Sequence, residues 1–286
     1  MLERPRIRIG ELSRRVGVSP ELLRAWETRY SLLSPERTTG GLRLFSEEDV
    51  RRVQSMCAHI AAGIPASEAA RLANVNERAG RAGDEHAAEE IEEQLGRAVL
   101  ALDDGLAQSA LDRLFAALPL QRALAEVILP FLGRVGESWA ASRMSVAQEH
   151  FASNVIGARL RGLTSGWGVG VGPRAILACP SGERHDLGLL CFGLALHEHG
   201  WRITYLGADT PLGDVAASLD ELAPTIVVLC ATSPEPLRNA REEIAALRSG
   251  TRVAAGGAGA TWALAEELDV EYLGGDPIAE AGTLRP

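Results

Sequence analysis

Between residues 174 and 272, short apolar runs alternate with longer helical stretches, and this alternation constrains the fold more than any other feature. Strands are expected at 174–179, 202–206, 225–229, 251–255 and 270–272, and helices at 187–198, 213–220, 235–248 and 259–268. Five parallel strands with intervening helices predict a doubly wound, Rossmann-like α/β domain over 173–286. Open sheets of this kind bind ligands at the carboxyl ends of their strands. The first such end carries Pro180 to Gly182, which are turn formers, and then Glu183-Arg184-His185-Asp186-Leu187-Gly188. His185 therefore sits on a loop just before a helix. Its ring can offer a lone pair to a metal, while Glu183 or Asp186 holds the other ring nitrogen. A loop histidine is also commonly just solvated or bonded to backbone, and the hexamer alone leaves both readings open. No Gly-x-Gly-x-x-Gly follows the first strand and there is no phosphate loop, which argues against a dinucleotide cofactor.

At the other end, Ile9 onward reads as a helix stopped by Gly17, and Ser19 is placed to cap a second helix, Pro20 to Arg29. Two short helices joined by a glycine-containing turn describe a helix-turn-helix. Charge supports a separate module. Residues 1–73 hold 12 arginines against 9 acids, while the remainder holds 17 against 29, within a chain of net charge −9. Only the first segment has the sign that suits a nucleic acid. The run Leu23-Arg24-Ala25-Trp26-Glu27-Thr28-Arg29-Tyr30, then Leu33 to Phe45 and Glu48-Asp49-Val50, resembles the winged-helix DNA-binding domain of the mercury-resistance-regulator (MerR) family. The resemblance implies a double-stranded operator as partner. It puts Arg24 on the recognition helix, a wing turned by Thr38 to Gly41, and Arg37 and Arg43 against phosphates. Trp26 and Tyr30 are either surface contacts or, for Trp26 at least as readily, core packing under the wing.

Residues 74–88 hold two glycines and almost no apolar seam, and are expected to be a linker without dimerising contacts of its own. Four helical stretches then follow, at 89–102, 106–118, 120–139 and 145–163, predicting a four-helix bundle over 89–168. Trp139 ends the third, and Glu149-His150 follows on the fourth after nine intervening residues. An aromatic facing a polar pair can cover and orient a nucleoside; a bundle-core tryptophan and a surface pair is the plainer alternative.

Glu183-x-His185-x-x-Gly188 is similar to the Asp-x-His-x-x-Gly motif of cobalamin-binding domains, with Glu in the Asp position. That family adds a Ser-x-Leu segment, degenerate here as Cys230-Ala231-Thr232-Ser233, and a Gly-Gly kept as Gly256-Gly257. Backbone without side chains lets a bulky ligand approach; a turn and a buried thiol are the bland readings. Trp139 with Glu149-His150 resembles the helical cap of light-sensing, adenosylcobalamin-dependent repressors of carotenoid biosynthesis. The resemblance implies that His185 ligates cobalt from below. Glu183, Asp186, Gly188, Cys230, Thr232, Gly256 and Gly257 then belong to the cofactor site, and Trp139, Glu149 and His150 surround the adenosyl group. It further implies a dark, cofactor-bound homo-oligomer, dimer or tetramer, that occupies its operator and is released by photolysis. One position departs: where light-sensing relatives carry a second histidine after the cap tryptophan, this chain has Ala140.

With 286 residues, two or three domains are expected. The chain has neither a run of 18 apolar residues nor a leader-like segment, so a cytoplasmic protein without a membrane partner is expected. Cys57, Cys179, Cys191 and Cys230 lack metal-ligand spacing. No catalytic constellation stands out, so the expectation is a regulator and not an enzyme. The alternatives are a MerR-type regulator of another corrinoid, tetrapyrrole or small ligand, and a corrinoid methyl-transfer protein, which leaves residues 1–73 unexplained.

Overall fold

The structure, a computed structural model, describes residues 7–38 and 41–286, the side chains of 75–85 excepted. It divides into two units, Met1–Ala87 and Ala88–Pro286.

In the first unit, helix α1 (Ile9–Val16) ends at Gly17, whose left-handed φ of 69° lets its N–H reach the carbonyl of Ser13. Ser19 then caps α2 (Pro20–Tyr30) by accepting from the Leu22 N–H. Strands β1 (Glu36–Arg37) and β2 (Arg43–Leu44) pair antiparallel. The Thr38 N–H donates to the carbonyl of Leu42 at the base of their turn. Thr39 and Gly40, within the expected wing turn, lie outside the described residues. Helix α3 (Glu47–Ala61) opens with a capping box of Ser46 and Asp49. Asp49 is fully buried and also accepts from the Ser34 N–H and from Arg52. Leu12, Leu23, Trp26, Leu32, Phe45, Val53 and Met56 form the core.

Helix α4 (Ala66–Ala101) runs without a break. Its backbone is thus helical through 74–88, where the sequence suggests a tether. No proline interrupts that stretch, Ala, Glu and Arg make up more than half of it, and each of its two glycines costs only about 1 kcal/mol in a helix.

The second unit continues with α5 (Asp104–Ala117), α6 (Leu120–Arg122), a π-helical turn (Ala123–Ile128), α7 (Leu129–Ala140) and α8 (Val146–Gly162). The helix expected at 120–139 is therefore continuous but contains a π segment. Pro130 follows it, and proline supplies no N–H for the carbonyl four residues back. Five parallel strands come next: β3 (Arg174–Pro180), β4 (Arg202–Thr210), β5 (Ile226–Cys230), β6 (Arg252–Gly256) and β7 (Glu271–Leu273), in the order β4-β3-β5-β6-β7. Helices α9 (Leu187–Glu198), α10 (Leu212–Ala217), α11 (Leu219–Leu222), α12 (Pro234–Asn239), α13 (Arg241–Gly250), α14 (Trp262–Leu268) and α15 (Pro277–Thr283) complete it. Two expected helices are each split into a pair, and α15 is additional. Pro277 and the Asp276 side chain, which accepts from the Ala279 N–H, start α15.

Alternation along β3 sends side chains to opposite faces. Ala175, Leu177 and Cys179 join one core with α9, α15 and the helical bundle. Ile176 and Ala178 join the other, with Leu212, Leu237, Ile244 and Leu264. Helix α9 lies between the sheet and helices α8 and α15, which explains why Leu189 to Leu196 is buried throughout. Strand order reverses around β3, with β4 on one side and β5 on the other, so their carboxyl ends open a crevice between diverging connections. His185 follows β3 and Thr232 follows β5. Among the described residues, no helix is long and apolar enough to cross a membrane.

Candidate functional site

Glu183 organises the crevice. It is a buried acid, 3 % exposed, and both of its oxygens are used. Oε1 accepts from the His185 N–H at 2.8 Å and from His185 Nδ1 at 2.7 Å. Oε2 accepts from the Thr232 N–H at 2.6 Å and the Thr232 hydroxyl at 2.7 Å. Burial by itself raises this carboxyl, but the donations from Thr232 and His185 outweigh it and hold the group below its ordinary value. Its support is complete above the ordinary carboxylate range and is lost as pH falls through the lowered value. An ionised carboxylate only accepts, so Nδ1 is the protonated ring nitrogen and Nε2 carries the lone pair. The His185 side chain is 73 % exposed. The arrangement is a carboxylate-oriented histidine presenting one free donor atom outward, which is how proteins prepare an imidazole for a metal.

The loop is pinned on two further sides. The Gly182 N–H donates to Asp209 Oδ1 at 2.7 Å, and the Asp209 N–H donates to the carbonyl of Glu183 at 2.8 Å. Asp209 lies at the end of β4. The Cys179 thiol donates to the carbonyl of His185 at 3.7 Å. Cys230 beside it, and then burial, push the Cys179 thiol up, so it stays protonated. Asp186, the other carboxylate considered for the ring, turns away from it. It accepts instead from the Tyr205 hydroxyl at 2.9 Å and from Arg161 at 3.0 Å.

The glycines divide. Gly257 has φ 88°, and a Cβ there lies 2.5 Å from the carbonyl oxygen of Ala231. A Cβ on Gly256 lies 3.1 Å from the carbonyl oxygen of Leu273. The fold itself requires or favours glycine at both. At Gly188, in the first turn of α9, a Cβ meets nothing within 4 Å, so internal packing does not demand glycine there.

In the bundle, Trp139 sits at the last turn of α7 with half of its surface exposed, followed by the exposed Ala140. Ser145 caps α8, and Glu149 and His150 stand in its first turns. Glu149 accepts from the Ser153 hydroxyl at 2.7 Å and lies 3.5 Å from His150 Nε2; the His150 side chain is 69 % exposed. The tryptophan is therefore no core residue.

The first unit has its own surface. Trp26 is buried, so its role is packing, and Tyr30 is half-buried with the Arg29 guanidinium 5.6 Å from its ring centre. Arg24 on α2 and Arg37 on β1 are exposed. Arg43 of β2 donates to Glu27 of α2 at 3.0 Å, tying the wing to the second helix. This tie spans 16 residues of sequence and carries no local signal.

Comparison with known proteins gives this architecture its family. Residues 7–76 match the MerR HTH family regulatory protein, and residues 91–163 and 173–281 match two families of B12 binding domain. The chain is 34 % identical over 284 residues to the HTH-type transcriptional repressor CarH of Myxococcus xanthus, covering 94 % of this chain and 95 % of that protein. The chain belongs to the MerR family of regulators that carry B12-binding domains. It is also 34 % identical over 260 residues to the repressor CarA of the same organism, covering 89 % and 87 %. The Methanosarcina barkeri monomethylamine corrinoid protein shares the fold of 68 % of the chain, with a TM-score of 0.56 at 19 % identity, and 95 % of that protein is covered.

For a MerR-type B12-binding regulator, the degenerate segment after β5 has a specific consequence. Thr232 supplies both a backbone and a hydroxyl donor to the carboxylate that orients His185, from 49 residues away. Sequence reasoning included Thr232 without its task. The side-chain contacts of Arg161, Tyr205 and Asp209 span 25, 19 and 27 residues of sequence and leave no local signal.

Proposed function

We propose that this chain is a cobalamin-dependent, light-responsive transcriptional repressor whose dark, adenosylcobalamin-bound oligomer holds operator DNA. The observation that carries this reading is His185, its Nδ1 held by a buried carboxylate and its Nε2 open, in a chain that also carries a helix-turn-helix. The residues fit the group: the donor set ends in one outward imidazole nitrogen at the topological switch point. His185 would hold the cobalt, with Glu183 and Thr232 fixing the ring, and Trp139, Glu149 and His150 would meet the adenosyl end. When bound, adenosylcobalamin brings a cobalt already held by four corrin nitrogens and a cobalt–carbon bond that light cleaves. Trp139 covers apolar surface and Glu149 accepts hydrogen bonds, so the cap discriminates a nucleoside from smaller upper groups. Linking several weak DNA modules in one assembly raises occupancy through effective concentration, so control of assembly becomes control of transcription. A regulator that binds corrinoid without adenosyl photochemistry is the second reading, and Ala140 favours it by offering no ligand atom.

The test uses duplexes selected from a random pool by the dark holo-protein. Binding is expected in the dark and loss is expected after green light; equal retention by the apo, dark and illuminated protein contradicts the proposal. Arg37→Ala is expected to weaken selected and unselected duplexes alike and to lower the salt slope by about 1. Arg24→Ala is expected to lose more affinity for the selected sequence, by about 1–3 kcal/mol. Because Arg43 holds Glu27, Arg43→Ala is expected to weaken both classes through the wing. Unchanged salt-dependent binding in all three variants would remove this face from the interface.

A further inference from the structure

Asp186 occupies the N-cap position of α9, where an aspartate ordinarily accepts from a backbone N–H of the first turn. Here its side chain makes no capping bond. The carboxylate, 13 % exposed, accepts instead from the Tyr205 hydroxyl at 2.9 Å and from Arg161 at 3.0 and 3.2 Å. The same hydroxyl lies 3.1 Å from the carbonyl oxygen of Asp186. Burial, with Asp186 beside it, pushes the Tyr205 hydroxyl above its ordinary range, so it remains a donor. Trp167 packs edge-on against Tyr205, with ring centres 5.7 Å apart, and its carbonyl accepts from the Ile203 N–H.

Arg161 belongs to α8, the helix whose first turns carry Glu149 and His150. A Cβ on Gly157, one turn before Arg161, would lie 3.1 Å from Leu187 and 2.6 Å from the Arg161 guanidinium. The last turns of α8 therefore rest on the start of α9, with a glycine at the contact and an arginine reaching across it. Twelve residues of helix separate Arg161 from Glu149, about 18 Å along the axis. One rigid element thus has the cap's polar pair near one end and, at the other, an ion pair to the residue that follows His185.

We infer that Arg161, Asp186 and Tyr205 form a latch that couples the position of the cap helix to the His185 loop, with Arg161 a positioning residue for the lower ligand. The inference rests on the proposed assignment of His185 as that ligand. A tilt of α8 at its Glu149 end pulls on Asp186 through Arg161, and Tyr205 gives the loop a second anchor on the sheet. Linkage makes the effect reciprocal: occupancy of the cap firms the histidine loop, and a held histidine firms the cap.

The test compares the full chain with Arg161→Leu, Arg161→Lys and Tyr205→Phe. In the apo-protein, amide hydrogen exchange over 183–190 is expected to quicken in Arg161→Leu and Tyr205→Phe and to stay near the parent in Arg161→Lys. With hydroxocobalamin bound, the same two variants are expected to show less of the histidine-ligated visible spectrum and to lose corrinoid roughly 3–10 times faster, a weaker effect than for a group touching the ligand itself. In darkness, the slower release of adenosylcobalamin relative to methylcobalamin is expected to shrink in Arg161→Leu, because the cap no longer reports to the loop. A histidine-ligated parent with variants unchanged in spectrum and release overturns the latch alone, even if their thermal midpoints fall. Arg161→Lys behaving like Arg161→Leu contradicts it too. A parent without the histidine-ligated spectrum removes the assignment of His185, and the latch with it.

Discussion

Replacing His185 with Ala is expected to abolish the histidine-ligated absorption spectrum of the corrinoid-loaded protein and to cut corrinoid retention by two orders of magnitude or more. The substitution deletes the outward Nε2 and leaves Glu183 with partners, since Thr232 still donates twice to it. The fold should therefore survive. Glu183→Gln gives a graded control. Its amide cannot accept on both sides, so one of the donors now on Glu183, from Thr232 or from His185, loses its partner. Disturbing a partner that orients a metal ligand costs about 10–100-fold in affinity. Histidine at 185 should then still ligate, but less tightly. A His185→Ala protein with an unaltered spectrum would place the lower ligand elsewhere.

The second large effect is expected at Ala140. This residue ends α7 beside Trp139 and is exposed. If adenosylcobalamin is bound and photolysed as proposed, Ala140 would offer no ligand atom to the vacated position, and a photoproduct without a ligand from residue 140 is expected. Ala140→His is expected to give a bis-histidine visible spectrum after illumination, and to make corrinoid exchange and dark recovery at least tenfold slower, because a second protein–metal bond must break. His150, one turn and a half into α8 and already near Glu149, is the control position. If illuminated wild-type protein already shows the bis-histidine spectrum and His150→Ala removes it, His150 performs this role and the effect of Ala140→His disappears.

Much of this architecture was legible from local chemistry. Gly17, Ser19 and Pro20 fix the helix-turn-helix because each acts through neighbouring backbone. Pro180 to Gly182 end β3 and set His185 on its loop for the same reason. What escaped is either weakly patterned or distant. Seven residues of α15 hold too few apolar positions to show periodicity, and only Asp276 and Pro277 mark its start. The helical backbone through 74–88 follows from summed propensity, whereas its glycines draw the eye to a break. The carboxylate partner of His185 lay two residues away and was among the two considered, but the choice of Glu183 over Asp186 depends on Thr232, Tyr205 and Arg161. Those contacts span 49, 19 and 25 residues of sequence. Side-chain geometry across the crevice, and not spacing, assigns one carboxylate to the ring and the other to the cap helix.

Size-exclusion chromatography with in-line light scattering and absorbance, run in darkness and after green light with and without adenosylcobalamin, tests the central claim most directly. The account predicts a larger assembly, coloured by corrinoid, only in the dark and only with the cofactor, and a return to the mass of the apo-protein after illumination. A mass indifferent to both cofactor and light would contradict the proposed photoreceptor mechanism even in a protein that binds cobalamin through His185.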